Sequence, residues 1–339
     1  MTTTTPIPIN ASSVPPVAGR ASRTIAQLDR FGPERCDAME VDEARAWCRA
    51  LALGHYENFS VLSRFVPADR RDDFAAVYAF CRWADDLGDE AGDRERSRAL
   101  LAWWREELDR CLAGEPRHPV FIALRPTMQR FDLPRAPFAD LIDAFVQDQD
   151  VTRYQTWDRV VDYCTRSANP VGRLVLMLLE APRDDAALAR SDDICTALQL
   201  ANHWQDVRRD LLERDRIYLP AELFPIEEFE TRLRGSAEQR FAVDQTFLGE
   251  YRTGLRICVD RTWKMFESGE PLLERLDRTA MPIVWLFTAG GRHILHEIEM
   301  WNYETCLHRP RLSAWSKGRL LLRAWWMQRT GTSPEHRQA

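Results

Sequence analysis

The sequence predicts an all-α protein, on three observations. From about residue 37 onward apolar residues recur at three- and four-residue steps, the period of an amphipathic helix. Alternation of period two over β-branched residues is nowhere sustained, and the periodic segments are separated by short Pro, Gly or Asp/Ser clusters. These clusters fall at 66–68, 91–93, 114–119, 132–137, 182–192, 214–236 and 269–272, dividing the chain into about nine or ten helices with no sheet. At 339 residues and 45% hydrophobic composition, the chain has ample apolar surface for a large core. No composition shift or solenoid repeat interrupts it, so one domain is expected over residues 37–310.

Along the chain, residues 1–36 open on Thr, Ser, Pro and Ala without an apolar signal-peptide core and read as a disordered tail. Residues 74–90 carry Phe74, Tyr78, Cys81, Arg82, Asp85 and Asp89 on one helical face, apolar at its start and acidic at its end. The stretch 159–180 contains Asn169–Pro170, where a proline kinks or breaks a helix and frees backbone carbonyls. In "LQLANHWQDVRRD" the apolar face is Leu200, Trp204, Val207 and Leu211, and beside it lie Gln199, Asn202, Asp206 and Asp210. Residues 214–236 form the longest irregular piece, and "MPIVWLFTAGG" at 281–291 is too short to span a membrane. The last segment, 311–339, is basic and amphipathic. Lys317, Arg319, Arg323 and Arg329 alternate there with Leu, Trp and Met, which suits either a membrane interface or a final core helix.

A formal charge of −6 argues against nucleic acid as the main partner. The eight cysteines form no C-x-x-C pair and sit among apolar residues, as expected of reduced, buried thiols. The expected location is cytoplasmic, with peripheral contact at the inner face of the membrane. Nothing in the pattern specifies an oligomeric state.

The carboxylates carry the chemical information. Asp85 and Asp89 close a helix where the macrodipole opposes negative charge, so their placement costs stability unless a cation compensates. Alone, either Asp-x-x-x-Asp pair is compatible with an ordinary solvated helix face. Two such pairs on two strong helices, facing across a cavity, make a cage of hard oxygen ligands suited to magnesium. Magnesium takes one or two carboxylates and completes its shell with water and substrate phosphate, which implies a diphosphate substrate.

These segments resemble the squalene/phytoene synthase family, all-helical isoprenoid synthases built as a bundle around a central cavity, from about His55 to about Gly291. "YAFCRWADDLGD" is similar to the family's first aspartate motif and maps Tyr78, Arg82, Asp85 and Asp89 onto functional positions. "QLANHWQDVRRD" followed by "DRIYLP" resembles the second, with Gln199, Asn202, Asp206, Asp210 and Tyr218. "QDVTRYQTWDRVVDYC" resembles the central segment and adds Asp148, Arg153, Tyr154 and Tyr163. Gln205 stands where many members carry arginine, and Glu57 where they carry a small or basic residue. This reads as positive charge removed near the diphosphate sites, as suits a member that ionises one diphosphate. "HYENF", "YCTRSANPVGRLVL" and "NHWQDV" together resemble the hydroxysqualene synthase branch of bacterial hopanoid biosynthesis.

The resemblance implies a carbon–oxygen lyase that ionises presqualene diphosphate with magnesium on Asp85, Asp89, Asp206 and Asp210. The cation rearranges and water captures it, giving hydroxysqualene. Arg82 is then the phosphate clamp, with Arg153 as a second. Phe59, Tyr78 and Tyr163 line the cavity. Asn169 positions the water, and Asn202 and Gln199 orient ligands. Tyr218 contacts substrate, and the isolated His55 and His203 stay outside the catalytic set. Two alternatives stand beside this reading: a synthase condensing two prenyl diphosphates, and a non-enzymatic assembly factor on the same fold.

Overall fold

The computed structural model describes residues 24–55, 65–240 and 244–331. Twelve helices of more than one turn follow one another among them: α1 (Val41–His55), α2 (Arg71–Asp89), α3 (Arg94–Ala113), α4 (Pro119–Phe131), α5 (Arg135–Gln147), α6 (Trp157–Ser167), α7 (Asn169–Leu178), α8 (Asp185–Arg214), α9 (Phe229–Gln239), α10 (Gln245–Gly269), α11 (Ala280–Met300) and α12 (Ala314–Thr330). The all-α expectation holds. Sequence-coded stops set the boundaries. Asp93, Thr156 and Asp184 each accept a hydrogen bond from a first-turn amide. Gly114 ends α3 with φ +94°, a conformation that glycine adopts without strain.

The differences from the sequence expectation have local causes. The polar run 182–192 breaks the chain only over its first residues: α7 ends at Leu178, Asp184 caps α8, and the Ala-rich residues after it are the first turns of α8. The stretch 159–180 is two helices split at Ala168, with Pro170 in the first turn of α7, where its missing N–H costs nothing. Within 214–236 lies β2 (Ile217–Pro220), which pairs in parallel with the two-residue β1 (Arg153–Tyr154). A ribbon that short has no period to detect in the sequence. Residues 24–36, assigned to the tail by composition, are packed: Phe31 is buried with its ring edge-on to Trp47 at 5.7 Å, and Cys36 Sγ donates to the Arg117 carbonyl.

Two clusters of buried apolar side chains fill the molecule. The first draws on α1–α5, α7, α8, α11 and α12 and centres on Trp83 and Trp104, stacked at 5.5 Å. The second is built by α6, α8, β2, α10 and α11. Helices α8 and α11 run through both. Two glycines let their neighbours approach. A Cβ on Gly172 of α7 would fall 2.4 Å from Cys195 Sγ of α8, and one on Gly291 of α11 would fall 2.5 Å from Leu198 of α8. No helix among the described residues is long and apolar enough to cross a membrane.

Candidate active site

Helix α2 is buried on nearly every side between residues 73 and 89. Only the row Tyr78, Cys81, Arg82, Asp85 and Asp89 keeps partial exposure, at the i, i+3, i+4, i+7, i+11 spacing of one face. Helix α8 repeats the pattern: Cys195, Leu198, Gln199 and Asn202 keep exposure inside an otherwise buried stretch, and Asp206 continues that row beneath a covering arginine. Half-exposed rows on core helices mark the walls of a recess.

The two aspartate pairs meet across it. Arg214, one residue before the turn that leads into β2, places Nε 2.7 Å from Asp89 and Nη1 3.4 Å from Asp210, tying the first motif to the second. Arg216 adds an ion pair to Asp89 at 2.7 Å. On the far side, Arg209 lies 3.0 Å from Asp206 and 3.5 Å from Asp210, and Arg309 grips Asp206 with a second bond at 3.1 Å. Arg82 reaches Asp85 at 3.4 Å and is anchored below by the buried Asp86.

Burial dominates the electrostatics. It raises the Asp85 carboxyl to about 7, helped by the Asp89 charge and opposed by Arg82. The side chain is 41% exposed on a helix that is otherwise largely buried from residue 73 to 88. Asp210 is raised to about 6 by burial, against the pull of Arg209. Behind the carboxylates, Tyr163 donates to Asp148 at 2.7 Å and Tyr218 donates to it at 3.0 Å. Asp148 is itself raised to about 7 by burial, with Arg216 3.8 Å away opposing the shift. His203 stacks on Tyr218 with ring centres 3.8 Å apart, and burial, reinforced by Arg216, holds it neutral with its pKa lowered to about 3. The β1–β2 ribbon makes this arrangement, since pairing Arg153 with Ile217 brings residues 216–218 alongside 148.

Of the residues expected in the site, the structure brings together Tyr78, Arg82, Asp85, Asp89, Gln199, Asn202, Asp206 and Asp210. Four others lie elsewhere. Tyr163 and Tyr218 are buried donors to Asp148, one layer behind the recess, because an unpaired hydroxyl could not be buried there. Asn169 accepts a hydrogen bond from Thr196 Oγ1 at 2.9 Å, joining α7 to α8. Arg153 is held by Glu230 and by Asp215 at 3.0 Å, so its charge is already satisfied away from the aspartates. Phe59, with Glu57, lies outside the described residues.

The expected shortage of cations is also corrected. Gln205 is buried and donates to the Pro310 carbonyl at 2.6 Å, so its side chain is not in the recess. Five arginines (82, 209, 214, 216 and 309) surround the four carboxylates. Arg209 and Arg214 were readable from their spacing of three and four from Asp206 and Asp210; Arg309, about a hundred residues on, left no local signal.

Among the described residues, no three Asp, Glu, His or Cys side chains converge closely enough to hold an ion unaided. Such a donor set fits magnesium, which leaves coordination positions to water and phosphate. Carboxylates interleaved with guanidiniums suit a ligand that itself combines cations with phosphate oxygens, because each charge then finds its opposite.

Comparison with known proteins identifies a family. The family profile described as squalene/phytoene synthase matches residues 53–319. A hydroxysqualene synthase of Rhodopseudomonas palustris is 30% identical over 261 residues, 69% of this chain and 87% of that protein. A 15-cis-phytoene synthase of Synechococcus elongatus is 28% identical over 315 residues, 89% of this chain and 94% of that one. The crystal structure of squalene synthase HpnC from Alicyclobacillus acidocaldarius superposes with a TM-score of 0.67 at 42% identity, covering 78% of this chain and 95% of that one.

Proposed function

The chain belongs to the squalene/phytoene synthase family, whose members act on prenyl diphosphates, and from that premise we propose that it ionises presqualene diphosphate and yields hydroxysqualene. The observation that carries the proposal is the bridge of Arg214 between Asp89 and Asp210, which makes two distant aspartate pairs one site. Asp85, Asp89, Asp206 and Asp210 would hold magnesium, which supplies charge neutralisation at the departing diphosphate. The chain's own groups do the rest. Arg82, fixed by Asp86, donates to the leaving phosphate oxygens, and the arginines released from the carboxylates add donors to the same group. Gln199 and Asn202 orient the diphosphate through their amides, and Tyr78 offers a ring face to the cation.

The carbon–oxygen bond breaks with its electron pair leaving on diphosphate. After rearrangement a water oxygen bonds to the carbocation and its proton passes to solvent. The "SANPVG" and "NHWQDV" segments and the relatives named hydroxysqualene synthase support this branch. The five arginines favour a second reading, condensation of two prenyl diphosphates, since that reaction must hold two such groups. Incubation with magnesium and presqualene diphosphate in ¹⁸O-labelled water, without nicotinamide, separates the two. A C30 alcohol carrying the label is expected. A hydrocarbon that requires NADPH, or consumption of two farnesyl diphosphates with presqualene diphosphate ignored, assigns the chain to the other branch.

A further inference from the structure

Helix α12 has two faces. One packs on α11, with Ala324 and Met327 buried and Leu320, Leu321 and Trp326 partly buried against the core. The other carries Trp315, Leu322 and Trp325, which are 74%, 67% and 44% exposed although they follow one another at helical spacing on a single stripe. Met300 and Trp301, at the end of α11, are exposed as well. Five of the eleven exposed large apolar side chains among the described residues thus fall within residues 300–325. Scattered exposed apolar residues need no explanation, but a stripe of tryptophan and leucine on one helix does.

The charges around the stripe identify what covers it. Arg319, Arg323 and Arg329 are exposed on or beside the same face, and Arg329 lies over the Trp325 ring at 4.1 Å. Residues 314–330 contain no Asp or Glu, although the whole protein carries a formal charge of −6. A protein partner of ordinary composition does not demand this pairing, whereas a lipid headgroup layer does. Tryptophan sits at the level of the headgroups, leucine reaches the upper acyl chains, and arginine meets phosphate. We propose that the Trp315–Leu322–Trp325 face of α12 docks the protein, lying flat, on an anionic lipid surface. The inference rests on this face alone and not on which reaction the recess performs.

The test is sedimentation of the full chain with vesicles of phosphatidylcholine, with and without phosphatidylglycerol. The wild type should pellet with the anionic vesicles and lose most binding in high salt. The triple variant Trp315→Glu, Leu322→Glu, Trp325→Glu should stay in the supernatant. Arg319→Gln, Arg323→Gln, Arg329→Gln should weaken partitioning about 100-fold. All six side chains are exposed, so both variants should keep the wild-type circular dichroism spectrum and melting temperature. Equal pelleting of wild type and either variant overturns the proposal, as does a wild type that ignores anionic vesicles. A wild type that is dimeric by light scattering and becomes monomeric in the triple variant, with no vesicle binding, also overturns it and assigns the face to a second copy of the chain.

Discussion

Asp85→Asn should lower turnover by about 100-fold or more and leave the helical fold unchanged, since loss of one preorganised charge commonly removes ~3 kcal/mol of transition-state stabilisation. Asp85 pairs with Arg82 at 3.4 Å, and Arg82 keeps Asp86 in the variant, so this arginine is not left unpaired. Asp206→Asn should lose as much activity. It should also cost some stability, because Asp206 balances Arg309 and Arg209. Both variants should need more magnesium for half-maximal rate. Steady-state kinetics beside urea unfolding checks this, and a variant that unfolds while keeping wild-type activity per folded molecule would make these carboxylates structural.

The second large effect is in the pH dependence of metal-free stability. Asp148 titrates at about 7 when folded and near its ordinary carboxyl range when unfolded, because burial disfavours its charge. The folded state therefore binds the extra proton. The stabilisation is complete below the unfolded pKa and is lost as pH rises through about 7. Asp210 behaves alike up to about 6. Buried His203 acts oppositely: its pKa is lowered to about 3 when folded, so acidification below its ordinary value favours the unfolded chain. His118, also buried and lowered, adds to that. Asp85, raised to about 7, acts in the same sense as Asp148 and Asp210, so three raised carboxyls outweigh the two lowered histidines and wild-type metal-free stability should fall as pH rises from about 4 to 6, by about 1.4 kcal/mol per pH unit for each uncompensated proton. Asp148→Asn removes one of these carboxyls, so the variant should lose several kcal/mol relative to wild type as pH falls from 8 to 4.5. Urea unfolding in chelator at the two pH values measures the difference. A pH-independent difference would mean that Asp148 does not carry the proton.

How much of this was legible in the sequence depends on the range of each interaction. Helical period, caps and the two aspartate rows are local, so the all-α fold and the row Tyr78, Arg82, Asp85, Asp89 could be read from spacing. The polar first turns of α8 were misread because helix propensity in "DAALAR" competes with a proline and an aspartate cluster just before it. The arginines that tie the site together depend on tertiary approach. Arg216 reaches Asp89 only because the β1–β2 ribbon turns the chain back, and Arg309 reaches Asp206 only because the segment after α11 crosses α8. Of the two positions from which a shortage of cations is read, Gln205 and Glu57, the first fails for the same reason. Its side chain was assumed to face the diphosphate, and it faces the Pro310 carbonyl instead. The resemblance puts Tyr163 on the cavity wall and Tyr218 against substrate, whereas both buried hydroxyls donate to the buried Asp148.

If the two aspartate pairs act as one magnesium-dependent site, ionisation of a prenyl diphosphate must follow the metal. Release of inorganic diphosphate from presqualene or farnesyl diphosphate by the purified chain tests it most directly, with magnesium, with chelator, and with magnesium restored. Release is expected with magnesium, with loss in chelator and recovery on readdition. A folded protein that releases diphosphate from neither substrate, or releases it equally in chelator, would contradict it.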